Sequence, residues 1–241
     1  LDSVTNPLPA RGGRDLESRD HARRFGPPTF HTPLVAVTAA DYQAAAQAFT
    51  VAGQQPIQRA NAAFRWTGSW LTVTLAVDPR AEEGLSAELR RQLLGFLETR
   101  RMAGYDLEVT RAVYVPIELR IALCLAPGFR AGDVLKELKQ ALSAADLASG
   151  RRGFFHPDNF TFGDKLYVSQ LYAAIMAVPG VESAQITRLA RLHAAYPDRD
   201  TAINHRQGFL EVGINEIIRL DNDPNFPEHG NLAFQVKGGG V

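Results

Sequence analysis

Apolar residues recur along this chain at two spacings, one typical of helices and one typical of strands. A repeat every three or four residues predicts an amphipathic helix in "GLSAELRRQLLGFLETRRMAG", with a stripe formed by Leu85, Leu89, Leu93, Phe96 and Leu97. Alternation with threonine predicts a half-buried strand in "WLTVTLAV", with Leu71, Val73, Leu75 and Val77 facing the core.

The predicted elements follow the order helix–strand–strand three times, and the third unit carries an extra helix. Further helices are predicted in "TAADYQAAAQAF", in "GDVLKELKQAL" and around a stripe of Leu171, Ile175 and Val178. Further strands are predicted in "RANAAFRW", "DLEVTRAVYV", "IELRIALCL", "ESAQITRLARL" and "FLEVGINEIIRL". This order predicts an α+β fold of ferredoxin-like split αβ sandwiches, with helices on one face of antiparallel sheets.

Short polar residues indicate where the helices begin. Thr38 followed by Asp41 predicts a capping box at the first helix. Asp133 is predicted to be the N-cap of the third helix, and Gly163–Asp164 is predicted to start the fourth. Pro179–Gly180 ends that helix.

Turn and loop signals separate the strands. Thr67–Gly68 predicts a tight hairpin turn, and Pro116 is predicted to separate two strands or mark an edge. The segment "HAAYPDRDTAINHRQG" is polar throughout and is predicted to be an exposed loop.

The composition of successive segments predicts three regions. Residues 1–30 are rich in glycine, proline and charge and are predicted to be an extended arm or linker, with a short polar helix between Leu16 and Arg24. Residues 31–115 are predicted to form a first α+β subdomain, and residues 116–241 a second one with a C-terminal tail. Because the chain begins without methionine, we expect it to be a C-terminal fragment of a longer protein.

Charge and cysteine content argue against several classes of partner. The chain has 26 basic and 26 acidic residues, so it offers no general reason to expect nucleic acid or an anionic membrane. We expect neither membrane insertion, which needs about 20 apolar residues in a row, nor a signal peptide. A single cysteine excludes an internal disulfide, and Cys124 is expected to be buried in an apolar strand.

The segment "LDNDPNFPEHG" is the best candidate for a metal site. Asp221, Asp223 and Asn225 alternate as in a calcium-binding EF-hand. However, the sixth position, which needs glycine, is Phe226, and the twelfth, which needs glutamate, is Leu232. These departures favour an Asx-rich turn at the end of a strand over a calcium site.

Catalytic motifs are absent from the sequence. The six histidines include no His-Glu-x-x-His pair, and there is no Gly-x-Ser-x-Gly. Neither glycine-rich segment lies between a strand and a helix, as a phosphate-binding loop would. We therefore predict no catalytic, cofactor-binding or metal-binding residues, and no small-molecule substrate.

The segment "RRGFFHPDNFTFGDKLYVSQLY" combines four phenylalanines with charged residues. The irregular spacing of the phenylalanines fits neither a strand nor a helix, so we expect most of them to be buried as a plug between sheet and helices or between two subunits. Asp158 and Asn159 are expected to close a turn on backbone amides, and His156 to contact backbone or aromatic groups rather than a metal. The structural or interface candidates are Arg151, Arg152, Phe154, Phe155, His156, Asp158, Asn159, Phe160, Phe162, Asp221, Asp223 and Phe226.

Several long stretches carry a family resemblance. They are "GGRDLESRDHARRFGPPTFHT", "AVTAADYQAAA", "AAFRWTGSWLTVTLAVDP", "RRMAGYDLEV", "GRRGFFHPDNFTFGDKLYVSQLYAAIMAVPGVESAQITRL" and "IIRLDNDPNFPEHGNLAF". In these stretches the chain resembles the C-terminal portion of the baseplate J-like family, the baseplate assembly proteins of contractile phage tails and phage-tail-like contractile injection systems.

The resemblance implies a structural role without catalysis and without a cofactor. It implies a baseplate wedge component that assembles the baseplate around the central spike and couples it to sheath contraction. The partners would be other wedge subunits, of the same or a paralogous kind, and spike, hub or sheath-proximal proteins. The protein would be cytoplasmic during assembly and then part of a particle. Two alternatives are a baseplate-associated hydrolase or carbohydrate-binding module and a metal-dependent structural module.

Overall fold

The computed structural model describes residues 18–20, 23, 35–80, 84–147 and 150–238. Its helices from residue 35 onward are α1 (Ala39–Ala48), α2 (Ala87–Glu98), α3 (Ala131–Ala141), α4 (Val168–Met176) and α5 (Pro197–Gln207). The strands are β1 (Ile57–Trp66), β2 (Leu71–Pro79), β3 (Asp106–Arg111), β4 (Val113–Leu125), β5 (Leu166–Tyr167), β6 (Val181–Arg191), β7 (Phe209–Leu210), β8 (Glu216–Arg219) and β9 (Asn231–Gly238). The α+β class is confirmed. The predicted arm lies almost wholly outside the described residues.

The first sheet has the order β1–β2–β3 and packs one face against α1 and α2. Strands β1 and β2 form an antiparallel hairpin, whose turn spans residues 67–70 instead of the two residues predicted. Strand β3 runs parallel to β2, because α2 crosses over between them. The predicted capping box is confirmed: the Thr38 hydroxyl accepts from the Asp41 amide, and the Asp41 carboxylate accepts from the Thr38 amide.

Strand β2 is buried on both faces, whereas the sequence predicts a half-buried strand. Thr72, Thr74, Ala76 and Asp78 are as buried as the apolar residues between them. Strand β2 is central in its sheet, and the end of this face near Asp78 meets the second half of the protein.

The first and second sheets are both mixed, whereas antiparallel sheets are predicted. Strand β4 pairs antiparallel with β6 and parallel with both β8 and β9. It runs without a break through Pro116, so Pro116 does not separate two strands. The predicted strand "FLEVGINEIIRL" is divided into β7, which pairs with β5, and β8.

Helices α3 and α4 cover one face of the second sheet. The face of β4 predicted to be apolar is confirmed, since Ile117, Leu119, Ile121, Leu123 and Leu125 are all buried. Cys124 lies on the opposite face near the end of the strand and is exposed, so its predicted burial is wrong. The physical reason is that both helices pack on the other face of β4.

The core stripe of α4 is confirmed, but two helix starts differ from prediction. Helix α4 begins at Val168, because Asp164 instead accepts a hydrogen bond from the Thr161 amide at 2.6 Å and closes a turn. Helix α3 has Arg130 at its N-cap, and Asp133 lies in its first turn. Buried apolar residues form two clusters, within residues 36–109 and 112–232. The division after residue 115 stays a prediction.

Helix α5 occupies the segment predicted to be an exposed loop. Its ends carry ordinary helix signals: Pro197 in the first turn, Asp198 and Asp200 near the N-terminus, and Gly208 in a left-handed conformation after the last turn. The apolar stripe that identifies other helices is missing, and this is why hydrophobic periodicity does not find α5.

Polar side chains attach α5 to the outer edge of β6. The Thr201 hydroxyl accepts from the Leu189 amide at 3.0 Å, and the Asn204 amide group donates to the Leu189 carbonyl at 2.9 Å. The His205 Nε2 atom lies 2.9 Å from the Ile186 carbonyl oxygen. These contacts pair backbone groups that an open edge strand would present to other chains.

We expect Thr201→Val to lower the free energy of unfolding by about 1–3 kcal/mol, because the buried Leu189 amide loses its acceptor. Urea denaturation measures this change. Gln207→Ala, at an exposed position of the same helix, is the control and should change stability by less than about 0.5 kcal/mol. Equal unfolding midpoints for Thr201→Val and the wild type would contradict the role given to α5.

Candidate functional site

The phenylalanine-rich segment, residues 151–162, forms an aromatic plug in the second core. The Phe154 and Phe155 rings meet edge to face with centroids 5.0 Å apart, and Phe155 stacks on Phe160 at 5.9 Å. Phe155 and Phe160 are buried, while Phe154 and Phe162 are half-buried against the same cluster. Two of the four rings are buried, whereas the sequence predicts that most of them are, and all four belong to or pack against the second cluster.

The plug lies directly against the C-terminal end of α3. The Phe154 amide donates to the Ala141 carbonyl at 2.8 Å, and the Phe155 amide donates to the Ser143 carbonyl at 3.2 Å. A Cβ atom on Gly153 would lie 2.1 Å from the Ser143 carbonyl oxygen. Glycine is required here because the two backbones come closer than any side chain permits.

The turn inside the plug is closed differently from the prediction. The His156 ring, through Nδ1, accepts from the Asp158 amide at 3.1 Å. The Asn159 side chain donates to the Gly153 carbonyl at 2.9 Å instead of accepting from an amide. His156 contacts backbone, as expected, and its Nε2 also lies 3.4 Å from a carboxylate oxygen of Asp146, which sequence analysis missed.

The Asp158 carboxylate points out of the plug and binds two arginines. Arg59 of β1 lies 3.1 Å away and Arg152 lies 2.9 Å away. The Arg59 side chain is only 12% exposed and also donates to the Phe160 carbonyl. The first sheet thus holds the outer side of the plug. Arg151 is exposed, and its carbonyl accepts from the Leu147 amide at 2.8 Å.

A second contact between the two halves joins Asn61 of β1 to the turn before β8. The Asn61 side chain donates to the Ile214 carbonyl at 2.6 Å. Glu216 holds this turn, because its carboxylate accepts from the Gly213 amide at 2.6 Å and pairs with Arg191 at 2.7 Å. The hydrogen bond from Arg191, helped by the Gly213 amide, lowers the pKa of Glu216, although partial burial opposes this shift.

A third contact joins Tyr114 of β4 to Asp78 of β2. The Tyr114 hydroxyl donates to the Asp78 carboxylate, and the Arg219 guanidinium lies over the tyrosine ring, 5.3 Å from its centroid. Burial, reinforced by the hydrogen bond to Asp78, raises the pKa of Tyr114 well above its ordinary value. We call these three contacts, centred on Arg59, Asn61 and Tyr114, the polar seam.

The segment compared with a calcium loop, residues 220–230, is an Asx-rich turn. Asp223 accepts from the Asn225 amide at 2.8 Å, and Asp221 pairs with Arg219 and lies 3.3 Å from His229. The Phe226 ring is half exposed and stacks on His229 with centroids 5.2 Å apart. Over the described ranges, no three histidine, cysteine or carboxylate side chains converge as metal ligands would.

The charged groups of the seam and plug are matched to one another. The carboxylates of Asp158, Glu216 and Asp78 each contact a guanidinium, an amide or a hydroxyl, and the apolar rings of the plug pack behind Asp158. Such an arrangement suits the attachment of two packed units, because hydrogen bonds and ion pairs fix their relative orientation.

In the described parts of the chain, the helices are too short or too polar to cross a lipid bilayer.

A double-mutant cycle with Arg59→Met and Asp158→Asn should give a coupling energy of about 1 kcal/mol, because the Arg59 side chain is only 12% exposed while the Asp158 side chain, at 32%, is partly solvated. Urea denaturation at low and high salt measures it, and salt should reduce it only partly. The exposed Arg91–Glu88 pair of α2 is the control, with an expected coupling below about 0.5 kcal/mol. Equal coupling energies in the two pairs would show that the Arg59–Asp158 contact stabilises the protein no more than an exposed surface ion pair does.

Glu216 should make the stability depend on pH on the acid side. Its folded-state pKa lies below the ordinary value of 4.5, so its stabilisation is complete above that value and is lost as pH falls through the folded-state pKa. The difference in unfolding free energy between the wild type and Glu216→Gln should therefore be constant above about pH 5.5 and shrink below about pH 4.5. In an Arg191→Met background this dependence should weaken, and an unchanged dependence would contradict the assignment.

Residues 35–110 match the family model of the Baseplate J-like central domain. The match begins just before α1 and ends within β3, so it spans the first cluster. No curated protein sequence shows significant similarity to the chain.

Among solved structures, the fold is similar to a chain in the cryo-EM structure of the anti-feeding prophage (AFP) baseplate, 6-fold symmetrised. The TM-score is 0.52 at 16% identity, and the alignment covers 88% of this chain and 43% of that chain. The likeness is one of fold, and this chain spans less than half the length of the AFP baseplate chain. The match of residues 35–110 to the Baseplate J-like central domain agrees with the predicted resemblance to the baseplate J-like family.

Proposed function

We propose that this protein is a non-enzymatic wedge component of the baseplate of a contractile tail or contractile injection system. The observation that carries the proposal is the baseplate J-like central domain at residues 35–110, in a chain whose fold is similar to that of an AFP baseplate chain. Its partners would be other wedge subunits, with spike, hub or sheath-proximal proteins as further neighbours.

The polar seam fixes the orientation of the two packed units in this state, and an exchange of its partners would change that orientation. Close-packed cores resist gradual deformation, whereas interfaces held by ion pairs and hydrogen bonds can exchange one set of partners for another. The seam joins the first sheet to the plug mainly through Arg59 and Asp158, and to the turn before β8 through Asn61. We therefore infer that sheath contraction is transmitted by movement at the seam, with both clusters kept intact.

The predicted consequence for the particle follows from this role. A strain without this protein should make sheath and tube subunits but no assembled particles, and the wild-type gene should restore them. Electron microscopy of particle fractions measures the result. Normal contractile particles in the deletion strain would contradict the proposal.

Complementation with variants tests the seam itself. The Arg59→Met/Asp158→Asn pair should give fewer particles or particles that fail to contract, while the matched Arg91→Ala/Glu88→Ala pair on α2 should behave like the wild type. A peptidoglycan-hydrolysis assay on the purified chain tests the hydrolase alternative, and activity there would contradict a purely structural role.

A further inference from the structure

Strands β8 and β9 are two parts of one strand interrupted by a loop. Arg219, the last residue of β8, lies opposite Pro116, and Asn231, the first residue of β9, lies opposite Glu118. Only Ile117 separates these positions on β4, yet residues 220–230 lie between the two partners. One residue would be enough to connect β8 to β9 opposite Ile117, but the chain has eleven residues there. The loop 220–230 is therefore an insertion between two strands that pair with β4 in line with each other.

The loop 220–230 is held rigidly. Its base is closed by the Asp221 amide, which donates to the His229 carbonyl at 3.2 Å, and its tip by the Phe226 amide, which donates to the Asp223 carbonyl at 3.1 Å. At Gly230 the backbone has a φ of 112°, and a Cβ atom would lie 3.0 Å from the Ile117 carbonyl oxygen. A loop fixed in this way on a sheet is preorganised for binding.

A cleft of about 480 Å³ lies at the base of the loop. Its walls include two prolines, Pro224 and Pro227, two carboxylates, Asp223 and Glu228, and the imidazole of His193 after β6. Both prolines and Glu228 are exposed. The cleft therefore suits a ligand that presents flat apolar surface together with a positive charge.

The β1–β2 hairpin tip has the complementary chemistry. Trp66 is 63% exposed and Trp70 is 54% exposed, and Arg65 next to them is also exposed. The turn is ordered, because both the amide and the hydroxyl of Thr67 donate to the Trp70 carbonyl at 3.1 Å. Tryptophan and arginine are the residues that contribute most often to binding energy at protein interfaces.

The tip and the cleft lie apart within one molecule. Strand β2 runs from the tip at Leu71 to Asp78, a distance of about 23 Å at 3.3 Å per residue. Asp78 binds Tyr114, and Tyr114 lies beneath Arg219, the residue just before the loop. The cleft thus belongs to the end of the sheet away from the tip, and a contact between the two must join different molecules.

We propose that the hairpin tip of one copy, with Arg65, Trp66 and Trp70, docks into the cleft at loop 220–230 of a second copy. The tryptophans pack on the loop prolines, and Arg65 pairs with Glu228 or Asp223. Such a head-to-tail contact uses two different surfaces and propagates into a ring or an open chain of copies. The inference rests on the structural role proposed above and names one partner for it, a second copy of this chain.

Two variants, each with one surface disabled, test the contact by sedimentation equilibrium. The tip variant is Trp66→Ser/Trp70→Ser, and the cleft variant is Glu228→Arg. The wild type should form species larger than the 26.4 kDa monomer as its concentration rises. Each variant alone should associate at least tenfold more weakly than the wild type. The tip variant loses the two tryptophans, and the cleft variant places an arginine opposite Arg65. An equimolar mixture should form a 1:1 dimer, since one intact tip meets one intact cleft.

Three results would overturn the proposal: a wild type that stays monomeric at its highest soluble concentration, a cleft variant that associates like the wild type, or a mixture that stays monomeric. Urea midpoints confirm that both variants are folded, and Arg65→Glu replaces the tip variant if it is not. If the wild type is monomeric while the deletion strain still lacks particles, the wedge role stands and only this contact is wrong.

Discussion

The pairing of Arg59 with Asp158 across the polar seam is the interaction on which the arrangement of the two halves depends. Arg59 extends from the first sheet and Asp158 from the plug of the second core, and the two residues are 99 positions apart in the chain. Because the Arg59 side chain is largely buried, leaving it without its partner is costly, and it also supports the plug through the Phe160 carbonyl. Close-packed cores joined by a polar contact can reorient without repacking internally, which is what the proposed wedge role needs.

Polar side chains carry out several tasks in this protein that apolar packing usually performs. Helix α5 is attached to β6 by Thr201, Asn204 and His205, and the Tyr172 hydroxyl accepts from one more amide of the same edge, that of Ile186. The turn before β8 is held by Glu216. Apolar burial supplies the stability of each core, and these polar contacts supply orientation and protect the open edge.

Local patterns in the sequence predict what is determined locally. The Thr38–Asp41 capping box, the inward face of β4 and the stripe of α4 are correct because each depends on neighbouring residues. The parallel pairing of β3, the interruption between β8 and β9 and the Arg59–Asp158 contact depend on residues far apart in the chain, and no short pattern encodes them. Helix α5 lacks an apolar stripe, although its end signals alone could have revealed it.

The most direct test of the account is a cryo-EM reconstruction of the parent particle before and after sheath contraction. We expect this chain in the baseplate, with both clusters unchanged internally and the two halves rotated relative to each other at the seam, so that the Arg59–Asp158 contact is remade or replaced. Absence of the chain from the baseplate would contradict it, as would a seam that stays fixed while either core deforms.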